Sequence, residues 1–318
     1  MYHFMKSHSD LSLRQAENTS LSRNTSFNAH NIGLFFDNLE TVLAKVNPPP
    51  SRIVNLDESG ISTVLEAPKV IAAKGTKQVG QVVSAERGEQ ITFCAFICAD
   101  GSYLPPLYIF PRKRPNFAYM IGSPEGSKDL YSSNGWMNVE LFLDTLKHIQ
   151  VQKECSKSNP LVLILDNHES HVGLDVVMYC RDNGIHLLTF HPHTTHCMQP
   201  LDTSVLGPFK RRLAAEYNIW LSENPGHTIS IREIPKLSKK PFIESFTETN
   251  IKSGFRKAGI QPLNHHIFTG EDFKGASVTD RCPSTSAYPD RSVPSKGAYT
   301  KKAGCRRRKT SRCKRVLA

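Results

Sequence analysis

A chain of 318 residues, 39% hydrophobic and 22% charged, is long enough for one large core with appendages or for two domains. No apolar run approaches the ~18 residues of a membrane helix, and the opening Met1-Tyr2-His3-Phe4-Met5-Lys6 lacks the apolar centre of a secretory signal, so a soluble intracellular protein is expected. The net charge of +11 is localised: eleven Lys and Arg and no acid lie between Arg291 and Ala318, leaving 29 basic and 29 acidic residues before them.

In chain order, residues 1–50 read as a helical N-terminal segment and linker. A capped turn and short helix run from Asn18 to Asn28. A longer helix from Asn31 to Val46 carries Ile32, Phe35, Phe36, Leu39, Val42 and Leu43 on one side, and Pro48-Pro49-Pro50 stiffens the exit. Strands are expected at 52–57, 91–98 and 103–110, the last two joined by the turn signal Ala99-Asp100-Gly101-Ser102. A helix over 138–153 places Val139, Phe142, Leu146 and Ile149 on one face. A strand at 161–166, a helix near 172–182, a strand at 185–190 and a long helix at 202–222 follow. The fold class this order implies is α/β: a ribonuclease H-like mixed sheet flanked by helices, spanning 51–225. Residues 226–270 read as a helical extension of that domain, and 271–318 as a disordered basic tail.

Three aspartates stand out against this frame. Asp57 closes Ile53-Val54-Asn55-Leu56, Asp166 closes the apolar run Leu161–Leu165, and Asp202 lies in Gln199-Pro200-Leu201-Asp202. From there Leu201, Val205, Leu206, Phe209, Leu213, Tyr217 and Trp220 recur at helical spacing, which puts Asp202 on the inward stripe. Singly, each has an ordinary explanation as a turn residue or a helix N-terminal acid. Together, at buried ends and with no cation beside them in sequence, they point to a divalent metal site, because an unpaired buried carboxylate is costly. Hard oxygen donors suit Mg²⁺ or Mn²⁺ rather than zinc. Glu58 is expected on the opposite side of its strand.

The chain resembles the catalytic domain of pogo/Tigger-type transposases, DDE superfamily endonucleases with an Asp-Asp-Asp triad. The resemblance rests on Asn55-Leu56-Asp57-Glu58-Ser59-Gly60, Gly75-Thr76-Lys77-Gln78-Val79-Gly80, Ser133-Asn134-Gly135-Trp136, Leu165-Asp166-Asn167-His168-Glu169-Ser170-His171 and the segment from Pro192 to Asp202. Gly207-Pro208-Phe209-Lys210 and the segment from Gly254 to Pro262 complete it, and the motifs cover roughly residues 10–270 in the family's order. The resemblance implies that Asp57, Asp166 and Asp202 are catalytic and hold two divalent ions, Mg²⁺ or Mn²⁺. The implied activity is two-metal phosphodiester cleavage and strand transfer on DNA. The alternative is a domesticated or decayed copy that binds DNA or chromatin without cutting it. In the family, helix-turn-helix modules precede this segment; none is recognisable here, a departure that leaves recognition of specific transposon ends without an assigned module.

The remaining signals concern contacts. His168 and His171 beside Asp166 are candidates for nucleic-acid contact, with local backbone bonding as the ordinary alternative; His191, His193 and His196 precede Asp202 in the same way. Arg306, Arg307, Arg308 and Lys309 read as a nucleic-acid contact or nuclear localisation signal. The expected partners are DNA, a second copy of the chain and a nuclear import receptor, with no membrane and a nuclear location. The eight cysteines form no C-x-x-C pair, which fits a reduced compartment, and Cys94 and Cys98 read as small buried residues on one strand face.

Overall fold

The structure is a computed structural model that describes residue 7, residues 20–64 and residues 88–277. Two helices precede the sheet. Helix α1 (Leu21–Ser26) starts where Ser20 Oγ accepts from Arg23 N. Helix α2 (Ala29–Val46) starts where Asn28 Oδ1 accepts from Asn31 N at 2.9 Å, and it buries Ile32, Phe35, Phe36 and Leu39. Both starts are side-chain caps on otherwise orphaned backbone donors.

Strands β1 (Ile53–Ser62), β2 (Gln90–Cys98), β3 (Tyr103–Pro111) and β4 (Lys128–Ser132) follow. Next come helix α3 (Val139–Lys153), strand β5 (Leu161–Leu165), helix α4 (Leu174–Asp182) and strand β6 (Ile185–Thr189). The last group is helical: α5 (Thr195–Met198), α6 (Pro200–Ser204), α7 (Leu206–Glu223), α8 (Ile234–Ser245), α9 (Glu248–Lys257) and α10 (Lys274–Ser277). The sheet has the order β4-β3-β2-β1-β5-β6. β1 to β3 form an antiparallel meander, while β5 runs parallel to β1, β6 to β5 and β4 to β3. Setting β4 aside, this is the ribonuclease H-like sheet. Every strand except β2 runs in one direction, so their carboxyl ends share one end of the sheet.

The apolar pattern explains the layering. In β1, Ile53 and Ile61 join the core built with α2, α7 and α8, whereas Val54 and Leu56 join the core under α3 and α4. β2 is buried at every position from Ile91 to Cys98, as a central strand covered on both faces must be. Cys94 and Cys98 face the α3 side together and are free thiols.

Several expectations need correction. β1 does not end at Asp57 but continues to Ser62, because β2 keeps pairing with it long after the parallel partner β5 has stopped at Asn55. β4 carries no strong apolar alternation and was not expected. The long helix expected over 202–222 is broken at Val205 into α6 and α7. Pro208 accounts for the break: it has no N–H for the carbonyl of Ser204, so one continuous helix would lack that bond. Residues 271–277 are ordered as a turn and α10, although disorder was expected from 271. The rest of that tail, including Arg306, Arg307, Arg308 and Lys309, lies outside the described residues, as does the stretch Gly75–Gly80.

Candidate active site at the carboxyl end of the sheet

The register of β1 and β5 brings the first two aspartates level. Asn55 pairs with Ile164 in the parallel ladder, so Asp57 and Asp166 each stand two residues beyond that pair. Both line a cleft of about 290 Å³, together with Leu56, Glu58, Trp136, Met137, His168 and His171.

Asp202 comes from a different layer, and a buried polar lock places it. Asn55 Nδ2 donates to Gln199 Oε1 at 2.7 Å and to the Ile164 carbonyl at 3.0 Å, and Asn55 Oδ1 accepts from Leu201 N at 3.2 Å. Gln199 Nε2 donates in turn to the Leu56 carbonyl at 3.0 Å. Both side chains are fully buried. The lock therefore ties the start of α6 to the strand that carries Asp57. From behind, α9 presses on α6: Ser204 Oγ donates to the Asn250 carbonyl at 2.7 Å, and a Cβ on Gly254 would stand only 2.5 Å from Pro200 O. Neither Asn55 nor Gln199 was singled out from sequence, although a lone amide in the run Ile53-Val54-Asn55-Leu56 was the available signal.

The electrostatics follow from this geometry. Burial holds the Asp57 carboxyl well above the usual carboxylate range; the neighbouring Asp202 charge raises it further, and hydrogen bonding to Gln199 opposes the shift. Asp202 is raised by burial, against Lys210, a hydrogen bond shared with Asp57, and Arg23. Without a cation, ionising both carboxyls at once is therefore disfavoured. Among the described residues no Lys or Arg closes an ion pair with either. The stripe position expected of Asp202 needs correction: Leu201 and Val205 are buried, while Asp202 itself is an exposed residue whose carboxyl turns back to Asp57.

Asp166 behaves differently. Burial opposes its ionisation, but the hydrogen bond and charge of His171 outweigh that and hold its pKa below the ordinary value. His171 Nδ1 lies 2.8 Å from Asp166 Oδ1 and its Nε2 lies 3.0 Å from Glu58 Oε1. Burial disfavours the imidazolium, yet these two carboxylates push its pKa up to about 9. The ring packs on Phe142 of α3 with 4.4 Å between centroids, and its side chain is 4% exposed. His171 is thus a buried bridge between Asp166 and Glu58 on the lining of the cleft. His168 remains exposed at the cleft, where its backbone N–H donates to Asp166 Oδ1 at 3.2 Å. Glu58 does lie on the face opposite Asp57, where it meets His171.

The donor set is carboxylate oxygen throughout, with a contacting pair that no Lys or Arg among the described residues closes in an ion pair, and this fits a hard divalent cation. Among the described residues no group of three or more His, Cys, Asp or Glu side chains is arranged to hold a metal as it stands. Asp57 and Asp202 meet, while Asp166 faces the same cleft but is engaged by His171.

Comparison with known proteins adds the family. The sequence model described as DDE superfamily endonuclease matches residues 89–253. One curated protein, the MFS-type transporter clz9 of Cochliobolus lunatus, is 30% identical over 228 residues, covering 70% of this chain and 25% of that protein. The chain thus spans about a quarter of the length of the curated relative it matches. Transport belongs to that protein's name; among the described residues here no helix is long and apolar enough to cross a membrane. Among solved structures, the Mos1 strand transfer complex aligns at 12% identity over 88% of this chain and 70% of that chain, with a TM-score of 0.47. The Mos1 mariner paired end complex with Mn aligns at 13% identity over 82% and 68%, with a TM-score of 0.48.

Proposed function

Because the chain belongs to the DDE superfamily endonucleases, we propose that it is a metal-dependent DNA endonuclease and strand transferase of the pogo/Tigger type, with Asp57, Asp166 and Asp202 as its catalytic, metal-holding residues. The observation that carries this reading is the contact between Asp57 and Asp202 beside a cleft that Asp166 also lines. Mg²⁺ or Mn²⁺ held by these carboxylates would supply Lewis-acid stabilisation of a dianionic phosphoryl transition state and a means of activating water.

The chain's own residues prepare that site. Asn55 and Gln199 hold the α6 backbone on β1, so Asp202 cannot drift from Asp57. His171 keeps Asp166 ionised at the cleft and is itself held by Glu58 and Phe142. A cation entering here needs both carboxyls ionised, and both are harder to ionise than usual, so loading becomes easier as pH rises. DNA as substrate, a second copy of the chain as partner, a nuclear location and an import receptor for the tail belong to the same proposal.

The test is incubation of the purified chain with supercoiled plasmid in Mg²⁺ or Mn²⁺, with and without EDTA. Nicking or linearisation that EDTA and Asp57→Asn both abolish is the expected result. Cleavage that survives either would overturn the assignment, and binding without any cleavage would favour the non-catalytic alternative.

A further inference from the structure

Trp136 is 55% exposed, although burying an indole is among the more favourable things a fold can do with an aromatic side chain. Its position is not slack. It follows β4, and Ser132 Oγ donates to the Trp136 carbonyl at 3.0 Å while Trp136 N donates to Asn134 Oδ1 at 3.0 Å. Gly135 is fixed just before it: its carbonyl accepts from the buried Thr92 Oγ1 at 2.7 Å, and its φ of +76° would strain any other residue. A Cβ there would also press on Pro111 at 3.1 Å. Met137 on the other side is buried in the core under α3. The backbone is thus pinned on both sides of an indole left in solvent, and that indole lines the cleft of Asp57, Asp166 and His168.

We propose that Trp136 is a stacking platform for an unpaired nucleobase of the DNA strand held in the carboxylate cleft, and so a positioning residue for that strand. This rests on the endonuclease reading above. An indole face offers a flat π surface that any base can cover, with no demand on sequence. In an intact duplex both faces of a base are taken by its stacked neighbours, so only a base at an end, a nick or an extruded position can use the platform. A backbone already fixed at this point leaves less chain to order when a base arrives, which lowers the entropic cost of the contact. Asp57, Glu58 and Asp166 line the same cleft and supply no attraction for phosphate by themselves, so a neutral stacking contact adds an affinity that these carboxylates do not.

The experiment uses the full chain carrying Trp220→Phe, which leaves Trp136 as the one indole of the two in the sequence. Its emission is followed during titration, in Ca²⁺ to slow turnover, with a duplex bearing a short single-stranded overhang. The control is the same duplex with abasic overhang nucleotides, and affinities are measured in parallel by anisotropy. The expected result is quenching by the overhang duplex but not by the abasic one. Trp136→Ala should lower affinity for the overhang duplex about tenfold, the scale of one lost base stack, without changing affinity for the abasic one, and Trp136→Phe should restore much of it. Tight binding of the overhang duplex with unchanged emission overturns the platform and leaves the endonuclease reading standing. Equal losses for both duplexes in Trp136→Ala overturn it too, because the role is then only structural. Failure of every duplex to bind removes the endonuclease reading and the platform together.

Discussion

Asn55 and Gln199 are 144 residues apart in sequence, yet their side-chain amides meet at 2.7 Å inside the core. Through that bond the strand carrying Asp57 determines where Asp202 stands. Each amide also reaches backbone on the other's element, Asn55 to Leu201 N and Gln199 to the Leu56 carbonyl. A fully satisfied buried network of this kind specifies one geometry, and half of it is worse than none.

Asn55→Leu should therefore destabilise the fold and disable the site at once. It strands Leu201 N–H and Gln199 Oε1 without partners, at a cost on the order of 1–3 kcal/mol for each buried group. Urea unfolding should show the loss directly. Plasmid cleavage measured where the variant is still folded should fall further than the folded fraction does, since Asp202 loses its tether. A variant that unfolds earlier but cleaves normally when folded would reduce the lock to packing alone.

Asp57→Asn should stabilise the metal-free chain while removing its response to metal. Burial raises both carboxyls, and the Asp202 charge raises Asp57 further, so the folded state carries a cost of ionising them that the unfolded state does not. Relief of about 1 kcal/mol would raise the melting temperature by about 2–4 °C in a domain of this size. Mg²⁺ or Mn²⁺ should raise it in the parent by binding the native state, and this rise should vanish in the variant. An unchanged response to Mg²⁺ and Mn²⁺ in Asp57→Asn and in Asp202→Asn would count decisively against the metal assignment.

His171 makes a distinct pH prediction for the chain in EDTA. Its folded pKa of about 9 lies above the ordinary 6.5, so its contribution is complete below pH 6.5 and is lost as pH rises through about 9. The raised acids Asp57 and Asp202 act in the same direction, because the folded chain binds more protons than the unfolded one. Asp166 acts oppositely: its lowered pKa gives stability that disappears only in acid, below the usual 3.8. The melting temperature should thus fall from pH 6.5 towards 9, and His171→Gln should flatten that fall. An equal fall in the variant would show that His171 is not the group responsible.

How much of this was legible in the sequence follows from range. Strands and helices came from local periodicity: the runs Leu161–Leu165 and Ile91–Cys98 and the stripe of α3 all formed where expected. The three aspartates were visible as acids at apolar boundaries, and the order of elements implied the sheet. What could not be read was contact between distant residues. That His171 bridges Asp166 to Glu58 depends on the turn Glu169–His171 packing against Phe142, which spacing does not encode. The break at Val205 was readable in principle from Pro208, but the apolar stripe runs through it and conceals it.

Gly254→Ala tests the other support of Asp202. The new methyl would face Pro200 O at 2.5 Å and Ser204 Oγ at 2.6 Å, and the first of these is backbone that cannot swing aside. Overpacking of that kind costs about 1–3 kcal/mol. Relief should come from α6 moving off α9, carrying Asp202 with it, so the metal-induced rise in melting temperature should shrink as well. Full metal response at lowered stability would show that α6 tolerates the shift.

The basic tail should act separately from the core. Eleven Lys and Arg between Arg291 and Ala318 have no acidic neighbours, whereas residues 1–290 are formally balanced. Each phosphate neutralised by such a tail releases condensed counterion, so log K should fall with log salt by about 0.9 per contact on duplex DNA. Removing 291–318 should lower nonspecific DNA affinity and flatten that slope, and nuclear accumulation should fall with it. The melting temperature and its metal response should not change, since Asp57, Asp166 and Asp202 and their supports all lie before residue 258. Cleavage at low salt should survive for the same reason. If the shortened chain kept both its DNA affinity and its original slope, the phosphate contacts would have to lie on the core. The exposed Lys210 on α7, whose charge acts on Asp202, would then be the first to replace.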